Sequence, residues 1–301
     1  MLPSERLKGI EAFVASADLG SFTAAGRRLN LTNSAISKAV GRLEARLDCR
    51  LFHRTTRSLQ LTDAGTAFYA TCVRVLGDLA EAEAVLTSHG VEPVGRVKLD
   101  LPVAFGRMRV MPLLLRFAER YPAVRPQVSF TDRFVDIIEE GVDITVRIGG
   151  PEVWRDGIGH RRLGAERLVF CAAPDWLARQ PLPRTPDALV RLDGVLYGRS
   201  DGLTSPWRFG SAAGVEHRAV EGRIVLGSAE AQVEAVKAGF GVAQLATWLV
   251  SRELESGELV ELLPEHAVEG LPLNLIWLTG RELSPKIAAL LALFSEELSV
   301  E

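Results

Sequence analysis

Cysteine is scarce in this sequence: Cys49, Cys72 and Cys171 stand far apart along 301 positions. An odd, scattered set provides no disulfide framework and no CxxC metal pair, so a reducing, cytoplasmic setting is the simplest expectation. Histidine is equally thin, at positions 53, 89, 160, 217 and 266, and no Cys or His spacing suits zinc. No stretch approaches the roughly 18 unbroken apolar residues of a membrane span. The opening MLPSERLKGIEAF lacks a basic start followed by an apolar run, so neither a signal peptide nor a membrane partner is expected. Catalytic signatures are missing too: there is no GxSxG, GxxxxGK(S/T) or HExxH. The glycines of GIGHRRLG (157–164) neither follow a strand nor open a helix, as a dinucleotide fingerprint requires. His160 and Cys171 have no evident partner residues. The sequence therefore reads as a non-enzyme, with no metal and no cofactor.

What is present is unevenly distributed. Net charge is −3 overall, but residues 1–62 hold ten Arg and Lys against five acids, whereas the remaining 239 residues carry −8. A basic head on an acidic body points to an anionic partner for the head alone. Three short helices can be drawn there. The first starts at Ser4 and buries Leu7, Ile10, Phe13, Val14 and Ala17; the second starts near Ser21 or Thr23 and ends at Leu29; the third is capped by Thr32. In the third, Ile36, Val40, Leu43 and Leu47 form one buried stripe, while the opposite face carries Ser34, Lys38, Gly41, Arg42 and Ala45. Short helix, tight turn and longer helix with a small, cationic outer face is the helix-turn-helix arrangement, whose last helix enters the major groove. Asn33, Ser34, Ser37 and Lys38, with the Thr32 cap, are the base-edge candidates, and Arg42 a phosphate grip. RLFHRTTRSLQLT (50–62) reads as a β-hairpin with Leu51, Phe52, Leu59 and Leu61 packed inward. Arg54, Thr56 and Arg57 lie at its tip, where arginine favours a narrow minor groove.

At this point a family resemblance is plain. The run FVASADLGSFTAAGRRLNLTNSAISKAVGRLEARLDCRLFHRTTRSLQLTDAG, within residues 7–66, resembles the winged helix-turn-helix of LysR-type transcriptional regulators. Asn33-Ser34 stands where many members have Gln or Pro early in the recognition helix.

Thr62 or Asp63 caps a long helix over 63–89, with Gly90 as its stop. Phe68, Cys72, Val75, Leu79, Ala82 and Leu86 follow a 4-3-4-3-4 spacing along it. That is a heptad seam, read equally well as a coiled coil or as an amphipathic helix packed on its own chain. The resemblance implies the former, a helix that pairs two chains into a homodimer or homotetramer on a partly palindromic duplex operator.

After a linker, GVEPVG, the body alternates strand-like segments (96–102, 126–131, 143–149, 167–173, 194–198, 222–227 and 241–246) with helix-like ones (106–120, 132–141 and 229–238). LNLIWL (273–278) and a final helix over 284–299 close the chain. Such alternation argues an α/β fold with largely parallel sheets covered by helices. The runs FAERYPAVRPQVSFTDRFVDIIEEGVDITVRIG and AVKAGFGVAQL are similar to the LysR regulatory domain, which is like periplasmic binding proteins. The resemblance thus implies two lobes, residues 95–162 with 270–301 and residues 163–269, with a small effector between them. By position, the rim is Pro102, Val103, Ala104, Phe105, Thr131 and Gly149 from one lobe, and Arg199, Ser200, Gly227 and Ser228 from the other. Helix-start amides and hydroxyls suit a carboxylate, so an anionic metabolite is expected. Pro102 stands where many relatives have Ser or Thr, and Ala246 where proline is common. The expected domains are a winged helix-turn-helix (1–62), a linker helix (63–89) and a regulatory body (90–301). RNA polymerase is a further candidate partner. The alternatives are a DNA-binding protein whose body serves only assembly, and a solute-binding protein, which the basic head and missing signal peptide disfavour.

Overall fold

Side-chain caps divide the first sixty residues into short helices. α1 (Pro3–Leu19) is followed by α2 (Phe22–Leu29), which Ser21 caps by accepting the Ala24 N–H at 3.3 Å. Asn30, at φ 55°, ends α2, and Thr32 caps α3 (Asn33–Leu47) by accepting from Ala35 N–H at 3.1 Å. Between α2 and the turn there is no room for a Cβ: one on Gly26 would stand 2.6 Å from the Leu31 carbonyl oxygen. Ile36, Val40 and Leu43 are buried as the periodicity requires, but Leu47 is 39% exposed, so the stripe ends one turn earlier than the spacing predicts. The computed structural model describes residues 3–54, 59–87, 92–151, 153–198 and 203–298, with the backbone alone at 3–6, 54, 74, 78, 80–82 and 84–87.

A short antiparallel hairpin follows, β1 (Phe52–Arg54) on β2 (Leu59–Leu61), with Phe52 opposite Leu61. Phe13, fully buried, gathers the rings of Phe52, Phe68 and Tyr69 with centroids 5.3, 5.6 and 6.4 Å away. Burying the Phe13 and Phe52 rings stabilises the core by about 1.5–3 kcal/mol each. Phe68 and Tyr69 come from α4 (Asp63–Thr87), 25 residues or about 37 Å of rod. Met1–Val91 form one compact unit and Glu92–Glu301 another.

The second unit begins with β3 (Gly95–Leu101), then a helical run made of α5 (Val103–Phe105), a π turn (Gly106–Val110) and α6 (Met111–Arg120). The run begins three residues before the helix expected at 106. β4 (Val124–Phe130) and β5 (Ile144–Ile148) both pair parallel with β3. The helix expected over 132–141 is not there. Asp136 accepts the N–H groups of Ile138 and Glu139 at 3.0 and 3.3 Å and pairs with Arg155 at 2.7 Å, which holds the segment as turns.

β6 (Ile158–Ala172) is far longer than the expected 167–173 and takes in most of the glycine-rich GIGHRRLG, which the sequence did not mark as strand. Beyond it lie α7 (Pro174–Leu177), α8 (Pro186–Leu189), β7 (Gly194–Tyr197), the hairpin β8 (Trp207–Ser211) and β9 (Gly214–Arg218), then β10 (Gly222–Leu226) and α9 (Ala229–Lys237). β11 (Ala243–Ala246), α10 (Thr247–Ser256), β12 (Val260–Leu262), β13 (Val268–Leu278) and α11 (Pro285–Glu297) complete the chain. The main sheet has the order β11-β6-β13-β5-β3-β4, with β12 also on β6. It is mixed rather than largely parallel: β13 runs antiparallel to both β5 and β6, and β11 and β12 antiparallel to β6. β10 and β7 pair in parallel, and β7 is bridged at Gly194 to Val242, the residue before β11. β6 and β13 are thus the strands that link the two halves of the body.

Burial separates the three thiols. Cys171 is fully buried, which pushes its pKa up to about 12, and Cys72 is 3% exposed with a pKa pushed up to about 11. Cys49 is only half-buried. At neutral pH, iodoacetamide followed by mass spectrometry should label Cys49 in the native chain and reach Cys72 and Cys171 only in denaturant. Native labelling of Cys171 at the rate of Cys49 would contradict this packing.

Candidate functional site

Two regions collect the residues singled out in the sequence, one in each unit. In the first, α3 turns Ile36, Val40 and Leu43 into the core and leaves Asn33, Ser34, Lys38, Arg42 and Ala45 exposed, with Ser37 and Gly41 half-buried. Small side chains at the exposed N-terminal turns let a groove floor approach the backbone, and Lys38 and Arg42 add charge one turn apart. Not every expected contact is equally available. The Asn33 Nδ2 donates to Thr23 Oγ1 at 3.2 Å, and the Thr32 hydroxyl accepts as the helix cap. At the wing, the backbone of Arg54 ends β1, while its side chain, Thr56 and Arg57 lie outside the described residues. Sequence reasoning passed over Glu44, which is 5% exposed and accepts the N–H groups of Leu51 and Phe52. Its signal was a lone carboxylate beside Leu43 on the buried stripe.

The heptad along α4 divides in two. Phe68 and Cys72 pack into the core of the helix-turn-helix, whereas Val75 and Leu79 are 42% and 38% exposed. The side chains of Ala82 and Leu86 lie outside the described residues.

In the body, the carboxyl ends of β3, β4 and β5 sit over a buried polar network. Asp100 pairs with Arg147, both at most 4% exposed in their side chains, and Ser129 Oγ donates to Asp100. Thr145 Oγ1 donates to the Asp100 carbonyl at 2.6 Å, and Arg147 Nη1 to the Thr131 carbonyl at 3.0 Å. A pair removed from water this completely holds only because its remaining hydrogen-bonding positions are filled. Its effect is to fix the Thr131 backbone. The Thr131 hydroxyl accepts from Arg133 N–H at 3.2 Å.

Of the other expected rim positions, Pro102, Ala104 and Phe105 are buried and Val103 is half-buried. Phe105 belongs to the core, edge-on to Trp248 with centroids 5.1 Å apart. Gly149, at φ +85°, has its N–H on the Pro272 carbonyl at 2.7 Å and its carbonyl on Asn274 Nδ2 at 2.8 Å, so its role there is structural. Gly227 is exposed, and Ser228 caps α9 by accepting from Ala231 N–H at 3.4 Å. Arg199 and Ser200 lie outside the described residues.

Three groups that the sequence did not single out lie beside these expected rim positions. Asp132 Oδ1 accepts the Val103 N–H at 3.0 Å, occupying the first amide of the helical run. Tyr197, at the end of β7, has its hydroxyl pKa raised by burial and by the charge of Asp132. Arg107 forms an ion pair with Glu230 in the first turn of α9. These contacts bring the start of the α5 run close to β7 and α9. Among the described residues no group of three or more His, Cys, Asp or Glu could hold a metal ion, and no helix is long and apolar enough to cross a membrane.

Residues 7–66 match the model for the bacterial regulatory helix-turn-helix protein, lysR family, and residues 90–299 that for the LysR substrate binding domain. The chain belongs to the LysR family. It is similar to the HTH-type transcriptional regulator PtxR of Pseudomonas aeruginosa, at 32% identity over 98% of this chain and 94% of that protein. It is also similar to the uncharacterized HTH-type transcriptional regulator YhjC of Escherichia coli, at 31% identity over 94% of each chain. Among solved structures, CrgA, a LysR-type regulator from Neisseria meningitidis, superposes with a TM-score of 0.62 at 28% identity, covering 96% of this chain and 98% of that one. The protein is therefore a LysR-type, DNA-binding transcriptional regulator with a substrate-binding domain.

The exposed face of α3 makes a two-part expectation. Arg42→Ala should weaken binding to every duplex, specific or not, and reduce the slope of log affinity against log salt by about one. Ser34→Ala should instead change sequence preference, costing about 1–3 kcal/mol at one base position. Fluorescence anisotropy across a salt series, with a panel of single-base operator variants, separates the two.

Proposed function

We propose that this regulator acts as a dimer or a dimer of dimers, and that a small anionic metabolite held between the lobes of its body controls its grip on a partly palindromic operator. The observation that carries the DNA-reading half is the division of α3 into a buried Ile36-Val40-Leu43 stripe and an exposed face of Asn33, Ser34, Lys38 and Arg42. Ser37 lies beside that face, and Arg54, Thr56 and Arg57 of the wing supply the flanking contacts. Dimerisation uses the outer part of the α4 seam, where Val75 and Leu79 expose apolar surface on a helix whose inner end is already occupied. Exposed leucine and valine at heptad spacing find their natural cover in a second copy of the same helix.

In the cleft, the ligand's carboxylate takes the Val103 amide in place of the chain's own Asp132, with the Thr131 and Ser228 hydroxyls on either side. Ligand binding then shifts the balance between two lobe arrangements in proportion to its differential affinity for them. A second reading, in which the body serves assembly without a ligand, is favoured by the same contact: Asp132 already satisfies that amide, and Arg107 already joins Glu230.

Two measurements test these assignments. Replacing both Val75 and Leu79 by glutamate should weaken self-association by on the order of a hundredfold, about 2.7 kcal/mol, in sedimentation equilibrium, while leaving the helix-turn-helix folded by circular dichroism. Thr131→Val should reduce the response of operator affinity to a panel of small carboxylates without changing affinity in their absence. A chain whose operator affinity no carboxylate alters, with Thr131→Val behaving as wild type, would favour the assembly reading.

A further inference from the structure

Residues 50–52, between the recognition helix and the wing, are gripped from two directions. From α3, Glu44 Oε1 accepts the Leu51 N–H at 2.9 Å and the Phe52 N–H at 3.3 Å, and Oε2 lies 3.5 Å from Arg50 Nη1. From the start of α4, Thr62 Oγ1 donates to the Arg50 carbonyl at 2.8 Å and Thr62 N–H to the Leu51 carbonyl at 3.0 Å. The same hydroxyl accepts the Gly65 N–H at 2.9 Å, so the grip and the cap of α4 are one group. Gly65 presses directly on this segment: a Cβ there would stand 2.1 Å from the Leu51 carbonyl oxygen.

The N–H side of the segment is therefore bonded to α3 and the carbonyl side to α4. Peptide groups are planar, so holding both sides fixes the segment's orientation and, through it, one helix against the other. The carboxylate suits this task because it is acceptor-only and can take adjacent N–H groups together. At 5% exposure Glu44 is not placed to touch DNA, and a buried carboxylate is retained only where its bonds are made.

We propose that Glu44 is a positioning residue for operator binding: with Thr62 it sets the angle between α3 and α4, and thereby the half-site spacing that a dimer accepts. The second clause rests on the dimer described under Proposed function. In a dimer joined along α4, a change in that angle displaces both recognition helices symmetrically. Each added base pair rotates a half-site by about 35° and moves it by about 3.4 Å, so a rigid joint discriminates spacings and a loose one does not.

The test uses the full chain and a duplex that the wild type selects from a random-sequence pool, with variants of that duplex whose central spacer is one base pair longer or shorter. Wild type should prefer the selected spacing by about tenfold or more, and Glu44→Ala should reduce that preference to about threefold or less while still binding an isolated half-site. Glu44→Gln, which keeps an acceptor at Oε1, should stay near wild type. Thr62→Val should loosen spacing as Glu44→Ala does, and Thr62→Ser should restore it. Should Glu44→Ala fail to fold, Glu44→Asp, which withdraws the carboxylate by one methylene, takes its place with the same expected loosening. A folded Glu44→Ala or Glu44→Asp that keeps wild-type spacing discrimination overturns the proposal alone, whereas a wild type without any spacing preference overturns the dimer reading and the proposal together.

Discussion

The body depends on the antiparallel pairing of β6 with β13. Ile158–Leu168 run against Val268–Leu278, and each strand also reaches outward, β13 to β5 on one side and β6 to β11 and β12 on the other. Remove that ladder and the parallel β3-β4-β5 group loses its backbone link to the β7-β10-β11 group. The ladder is irregular between Glu269 and Pro272, and the packing there is close: a Cβ on Gly270 would stand 2.7 Å from Glu166 Cβ. Glu166 is buried at this crossing, accepting from Trp248 Nε1 at 3.0 Å and from Leu271 N–H at 3.4 Å. Burial raises its pKa above the ordinary 4.5, against the opposing pull of those two donors. A carboxyl whose folded pKa is raised binds its proton more tightly in the native state. Its contribution is therefore most favourable below the unfolded value and is lost as pH rises through the folded one. Trp248 in turn lies edge-on to Phe105, so the crossing strands reach the helical run after β3 through two buried aromatic rings.

The head solves a different problem. A helix that offers one face to a groove must keep that face free of bulk, so its anchorage has to come entirely from the other. In α3 that anchorage is Ile36, Val40 and Leu43, packed against α1 residues such as Phe13 and against Phe52 of the wing. Charge follows the same division. The acidic Asp18 takes Arg28 at 2.9 Å, and Glu44 is turned inward, while Lys38 and Arg42 remain exposed.

These two solutions differ in how readable they are. The helix-turn-helix was legible because its information is local: caps at Ser21 and Thr32 and a 3.6-residue stripe all lie within a few turns of the groups they govern. The body was legible as alternating elements but not as a topology. Over β6 the exposure pattern does not alternate, since the strand leaves one sheet environment for another along its length, and glycines at 157, 159 and 164 obscure the strand signal. In 132–141 the apolar residues Phe134, Val135, Ile137 and Ile138 have helical spacing, yet Asp136 bonds the local amides and Arg155 holds Asp136, so a local hydrogen-bonding alternative prevails over the pattern. The polar contacts around the expected rim were the least legible part. Asp132 with Val103, Arg107 with Glu230 and Asp100 with Arg147 each join residues that only the fold brings together.

The α4 seam shows why periodicity alone leaves its two readings open. Spacing of 4 and 3 residues repeats without a break from Phe68 to Leu86, but a repeat specifies only that one face is apolar, not what covers it. Phe68 and Cys72 are covered by their own chain, and the cover ends before Val75 and Leu79. The packing reading therefore holds for Phe68 and Cys72, and the proposed pairing with a second copy falls to Val75 and Leu79. The first turns are fastened to the helix-turn-helix by Phe68, Tyr69 and Cys72 and by the clamp on residues 50–52. Because the outer turns continue the same hydrogen-bonded rod, a partner that engages Val75 and Leu79 takes hold of a lever whose other end is fixed to the recognition helix. A separate linker at this position would absorb rotation, whereas a continuous helix rooted in the core transmits it.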